Sequence, residues 1–273
     1  MITAVGSVQF GAALAKTLFD EIGPGGTVLL RILFAALILA ALWRPALRGR
    51  SGADWRLIVS FGFALAGMNL AFYESLDRIP LGIAVTFEFV GPLGVAVASS
   101  HRALDLVWVA LAAGGILLLS DFGSADLDAL GVALALLAGA FWAAYIVLSV
   151  RVGRAFEGGQ GLALAMAAGA VMLLPVGIAD GGGDLLSAEI LALALIVAVM
   201  SSAIPYTLEL EALRRMPRGV FGVLMSLEPA MAALAGFIFL DEGLATRELV
   251  AIGLVVAASA GAARNAGVPP RDA

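Results

Sequence analysis

The stretch FEFVGPLGVAVAS, residues 87–99, is an apolar run of the kind that lies in lipid, yet it holds a carboxylate, Glu88, four residues before Pro92. A second stretch, MSLEPAMAALAG at 225–236, places Glu228 directly before Pro229 in a similar setting. An ionisable group in the hydrocarbon layer costs about 2.5 kcal/mol or more by insertion scales, and it normally faces a cavity or a partner. How many such runs the chain contains determines the fold, and what the two acids meet determines the function.

Working outward, ten apolar segments can be marked near 2–19, 26–43, 57–75, 81–100, 104–120, 129–148, 161–179, 189–212, 219–240 and 248–264. At ~1.5 Å rise per residue each is long enough to cross the hydrocarbon core. The 273 residues are 62% hydrophobic and 14% charged, with mean hydropathy +1.03, which leaves no room for a soluble domain. The expected fold is therefore an all-α membrane protein with ten transmembrane helices. The links EIGPGG, PALRGRSGADW, LDRIP, HRALD, DFGSADLD, RVGRAFEGGQG, DGGGD, RRMPR and DEGLATR read as turns, and their shortness makes consecutive helices antiparallel neighbours. The first span lacks the basic start and small-residue cleavage site of a signal peptide, so it reads as a helix that stays. It opens abruptly at Met1, which is expected to lie inside or just before the true first helix.

The chain has no cysteine and one histidine, His101, so thiol chemistry, disulfides, haem and zinc sites lack their parts. There is no phosphate-binding loop and no nucleophile elbow, which argues against ATP hydrolysis and acyl transfer and leaves an ion gradient as the energy source. No cofactor, metal or nucleic acid is called for. With the N-terminus placed in the cytoplasm, twelve of the sixteen basic residues fall in inner links and only Arg78 and Arg247 in outer ones. Lys16 and Arg31 lie within spans. The excess of positive charge inside supports ten spans with both termini cytoplasmic.

LDRIPLG at 76–82 matches LRRMPRG at 213–219, an offset of 137 residues that also sets Pro92 on Pro229 and Glu74 on Glu211. Five helices per half is an odd number, so the halves enter the membrane from opposite faces. Two inverted five-helix repeats, 1–124 and 125–265, followed by a cytoplasmic tail at 266–273, imply a transporter with its site near the midplane.

The polar residues within the spans are the candidates for that site. Glu88 and Glu228 sit near mid-depth, Glu88 as a proton-exchanging group or a hydrogen-bonded structural carboxylate, and Glu228 either in the exchanging role or holding a kink. Pro92 and Pro229 each remove a backbone donor and free a carbonyl, the mark of a hinge or an ordinary kink. Arg31 either grips a carboxylate with its planar fork or anchors the outer end of the second span, pairing with Glu74. Lys16 reads as snorkelling or as a second carboxylate partner. Gln9, Asn69, Tyr206, Trp142 and Tyr145 are placed to hydrogen-bond or stack on a small solute, or to act as helix glue, and Tyr73, a further binding candidate, reads with Glu74 as a vestibule or interfacial group near the outer end of span three. Glu74, Glu209 and Glu211 read as vestibule groups, and His101 with Arg102 as a cytoplasmic anchor.

GMNLAFYESLDRIPLGIAVTFEFVGPLGVAVASS at 67–100, with SVQFGAALAKTLFDEIGPGG, GAFWAAYIVLSVRVG and SSAIPYTLELEALRRMPRGVFGVLMSLEPAMAALAGFIFLDEGL, strongly resembles the EamA-type drug/metabolite transporter superfamily. The likeness runs through nearly the whole chain and is nearest to bacterial inner-membrane exporters of threonine and homoserine. It implies two inverted five-helix repeats around a central cavity and proton-driven export of small amino acids or related metabolites. The residues that match are Gln9, Lys16, Arg31, Asn69, Tyr73, Glu88, Pro92, Trp142, Tyr145, Tyr206, Glu209, Glu228 and Pro229, while Glu74 and Asp77 depart from the usual pattern. An amino acid needs an acceptor for its ammonium, from Glu88 or Glu228, and a donor for its carboxylate, from Arg31 or Lys16. The rival readings are export of another small solute, such as an aromatic amino acid, a purine or a drug, and an integral-membrane lipid enzyme. An aromatic cavity with no cation in reach would favour the first.

Overall fold

The computed structural model describes residues 2–98, 104–119, 127–205, 208 and 225–266, and every regular element among them is helical. In chain order these are α1 (Ile2–Lys16), α2 (Phe19–Trp43), α3 (Gly52–Leu76), α4 (Leu81–Glu88), α5 (Val90–Ala98), α6 (Leu104–Leu119), α7 (Ala129–Ala155), α8 (Gln160–Gly181), a 3-10 turn (Asp184–Leu186), α9 (Ala188–Ala198), a π-turn (Val199–Ala203), α10 (Glu228–Phe239) and α11 (Thr246–Ala266). By length and composition α2, α3, α7 and α8 can each cross a membrane. Leu37, Phe63, Val171 and Phe237 on the outside of the bundle are all more than half exposed. Such faces would drive aggregation in water, whereas lipid solvates them.

Local chemistry starts the helices. Ser51 and Asp54 form a reciprocal capping box at the head of α3, and the Asp128 carboxylate accepts the Gly131 N–H at 2.7 Å at the head of α7. α2 packs along α8, α3 between α7 and α8, and α6 along α11. Close crossings need small residues: a Cβ on Gly91 would strike the Gly139 carbonyl, and one on Gly139 would lie 2.6 Å from the Glu88 carbonyl. Those two glycines let α5 and α7 cross beside Glu88. At one end of the bundle the links after α2 and α7 meet, where Trp43 lies against Gly158 and Gly159 and Arg50 donates to Gln160 Oε1 at 2.9 Å. At the other end Lys16, Leu81 and Glu242 come together.

Several boundaries differ from the sequence reading. EIGPGG carries the break expected of it, at Gly23, but the chain on both sides of that break is helical. The stretch lies inside α2, which starts at Phe19 and is interrupted only at Gly23, whose φ of 64° suits a residue without a Cβ. The segment beyond that break is capped from another helix, because Asp180 on α8 accepts the Gly25 N–H at 2.9 Å. The expected fourth span is broken at Phe89 into α4 and α5, and the ninth at Ser226–Leu227, just ahead of α10. RRMPR, most of DFGSADLD and nearly all of the tail at 266–273 lie outside the described residues.

Candidate substrate cavity

Two helix breaks and the π-turn converge on a cavity of about 120 Å³ inside the bundle. The cause is three prolines. Pro92, Pro205 and Pro229 lack the N–H that would bond the carbonyl four residues earlier, which belongs to Glu88, Ser201 and Met225 respectively. All three of those residues line the cavity. Pro229 then falls in the first turn of α10, the one helical position where a missing N–H costs nothing.

The cavity brings together Gln9, Arg31, Asn69, Glu88, Trp142, Tyr145 and Glu228, contributed by α1, α2, α3, α4, α7 and α10. Glu88, Arg31 and Glu228 are 8%, 7% and 5% exposed, so three buried ionisable groups line one cavity. Arg31 does not snorkel and does not pair with Glu74. It is buried inside the bundle, where its Nη1 donates to the Tyr73 hydroxyl at 3.0 Å and its Nη2 to the Ser201 carbonyl at 3.3 Å. The Arg31 Nε–H has no partner among the described residues. Its guanidinium also lies 5.3 Å from the centre of the buried Tyr73 ring. Arg31 is thus held by Tyr73 and Ser201 while it lines the same cavity as Glu88. Glu228 opens α10, where the positive end of the helix dipole favours an acid.

The aromatic walls are fixed by their neighbours. The Trp142 ring meets Phe89 edge-on at 5.2 Å, and Tyr145 stacks on Phe61 at 5.0 Å. Asn69 is turned partly inward on its own helix, donating to the Leu65 carbonyl at 2.8 Å.

Two candidates lie elsewhere. Tyr73 is fully buried behind Arg31 rather than on the cavity wall. Lys16 is held by Glu242 at 2.7 Å, and the other oxygen of Glu242 accepts the Leu81 N–H at 2.8 Å. Tyr206, Glu209 and Glu211 lie outside the described residues. Sequence reasoning missed Ser201, Met225 and Pro205. The available signal was the position four residues ahead of each in-span proline.

Residues 129–264 match the EamA-like transporter family. Over 264 residues, covering 96% of this chain and 89% of the relative, the sequence is 44% identical to the threonine/homoserine exporter RhtA of Escherichia coli K12. The chain belongs to the EamA-like transporter family. This EamA-like transporter has the same identity and coverage against the threonine/homoserine exporter RhtA of Salmonella typhimurium LT2. It is 28% identical to Protein PecM of Dickeya dadantii, over 75% of this chain and 72% of that one. A solved crystal structure with 18% identity superposes with a TM-score of 0.66 over 96% of both chains, a likeness of fold. The family is one of transporters, and the chain is a transporter rather than an enzyme.

Proposed function

We propose that this EamA-like transporter exports small amino acids of the threonine and homoserine kind across the bacterial inner membrane, in exchange for protons. The observation that carries the reading is one cavity lined by a guanidinium together with two carboxyl groups, Arg31 with Glu88 and Glu228. That set complements both charges of a zwitterion. A space of about 120 Å³ also suits a small solute better than a drug, whose pockets run to roughly 300–1,000 Å³. The aromatic rings are present, but a cation stands within reach of them, which favours the amino acid over a purine or hydrophobic drug. The names of the relatives at 44% identity point the same way.

In this reading the chain spans the membrane ten times as two inverted repeats, 1–124 and 125–265, with both termini in the cytoplasm. The offset of 137 residues that aligns Pro92 with Pro229 also aligns the break at Phe89 with the one at Ser226, which supports the repeat. Single cysteines at Asp77 and Met216, in a chain that has none, should label from opposite faces; equal labelling of both from outside would dismiss the inverted topology. Coupling is assigned to Glu88, neutral when solute leaves and ionised when solute binds. The direct test is counterflow of a radiolabelled amino-acid panel in proteoliposomes. Homoserine and threonine should exchange, and flux confined to purines, aromatic amino acids or organic cations would overturn the reading.

A further inference from the structure

Arg31 and the two acids account for the charged ends of an amino acid and leave its side chain unread. Two neutral residues of the cavity wall, Gln9 and Ser201, each carry a polar atom without a partner among the described residues. Gln9 on α1 and Ser201 in the π-turn are each only 3% exposed, and both the Gln9 Oε1 and the Ser201 hydroxyl lack a hydrogen bond among the described residues. Ser75, Ser202 and Trp108 also carry unpartnered buried atoms, but none of these lines the cavity. A buried donor or acceptor left unmet is costly unless a ligand or water completes it.

The local backbone explains why these groups stay open. A helical Ser, Thr or Asn ordinarily bonds the carbonyl one turn back, as Thr86 does to Gly82 at 2.6 Å and Asn69 to Leu65 at 2.8 Å. Ser201 makes no such bond, because it sits in a π-turn where the helical register slips. The turn is fastened to α1 by the Ser7 hydroxyl donating to the Met200 carbonyl at 2.6 Å. Gly11, one helical turn beyond Ser7, leaves the space that the Ser201 hydroxyl occupies and that any Cβ there would claim. The Ser201 carbonyl is meanwhile taken by Arg31, so the same residue joins the charged and neutral parts of the wall.

We propose that Gln9 and Ser201 form a neutral subsite that reads the side-chain hydroxyl of the exported amino acid. The Gln9 amide oxygen accepts the substrate's hydroxyl proton, and the Ser201 hydroxyl donates to the substrate's hydroxyl oxygen. This inference rests on the export of small amino acids proposed above. A site built to bond a hydroxyl discriminates against the analogue that lacks it, whereas a purely apolar wall does so weakly.

The deoxy counterpart of both threonine and homoserine is 2-aminobutyrate, so one competitor tests both. Proteoliposomes carrying the full chain would be loaded for homoserine counterflow and challenged with unlabelled homoserine or 2-aminobutyrate. Homoserine should compete about tenfold better in the native protein, as two modest hydrogen bonds imply. Gln9→Met and Ser201→Ala should each reduce that ratio to about threefold or less while 2-aminobutyrate competition is retained. A ratio unchanged in both variants overturns the subsite and leaves amino-acid export standing. So does a native protein that treats the two amino acids alike. Should a variant fail to fold, thermal stabilisation of the native protein in detergent decides: equal shifts with homoserine and 2-aminobutyrate reject the subsite, and a shift with homoserine alone supports it. A native protein that exchanges no amino acid at all instead removes the parent reading, and the subsite with it.

Discussion

The cavity and the cluster at the end of α1 are built partly from the same helices, yet their charges are handled in opposite ways. At the end cluster, Lys16 on α1 meets Glu242 beyond α10, and Glu242 also takes the Leu81 N–H at the head of α4. Every charge there has its complement. In the cavity, at the tail of α4 and the head of α10, the Arg31 Nε, the Gln9 Oε1 and the Ser201 hydroxyl have none among the described residues. In sequence Lys16 and Arg31 look alike, each a lone cation in an apolar span. Their partners separate them: Lys16 is closed into an ion pair between helices, whereas Arg31 is held by a hydroxyl and a carbonyl and keeps an Nε–H without a partner among the described residues.

The comparison breaks most sharply at Arg31. Arg31→Ala should lower the initial rate of homoserine counterflow about a hundredfold, since a charge-assisted bidentate contact is lost. Arg31→Lys should be nearly as damaging, because Lys cannot reproduce the planar fork that reaches Tyr73 and Ser201 at once. Normal export by Arg31→Ala would place it with Lys16 as an anchor.

Glu88→Gln keeps shape and hydrogen bonding but removes titration. Export driven by an inward proton gradient should fall steeply, to about a tenth or less of the native rate, with folding intact by gel filtration. Unchanged rate and pH dependence would transfer the coupling role to Glu228, which stands beside Pro229.

The end cluster should respond the other way. Glu242→Ala leaves Lys16 and the Leu81 N–H without their acceptor, and stability should drop by about 1–3 kcal/mol, with substrate preference unchanged. A shift in preference between amino acids would show that the cluster reports to the cavity. The smallest effect is expected at Asp180, where Asp180→Ala removes an interhelical cap from α2 and costs about 1 kcal/mol, read as a lower melting temperature in detergent.

Composition and period alone made this an all-helical membrane protein, because lipid offers no partner for backbone N–H and C=O groups and only helices bury both along so apolar a chain. Glu88, Glu228 and Arg31 were legible as candidates for the same reason: an ionisable group in such a run demands a partner. The prolines were legible as sites of freed carbonyls, since a ring without an N–H acts wherever it sits. What sequence could not decide was which polar groups meet. Lys16 and Arg31 differ only through residues up to 226 positions away in the chain, and the pairing of Lys16 with Glu242 exists because α1, α4 and α10 share one end of the bundle. The helical segment of α2 beyond Gly23 depends likewise on Asp180 reaching across from α8 to cap it at Gly25. Ser201 passed unnoticed because a serine in an apolar helix is normally satisfied by its own turn; only the π-turn, fastened to α1 through Ser7 and Gly11, leaves its hydroxyl open. Backbone solvation by lipid is a local constraint that each segment meets by itself, whereas the satisfaction of a side chain depends on packing between distant segments.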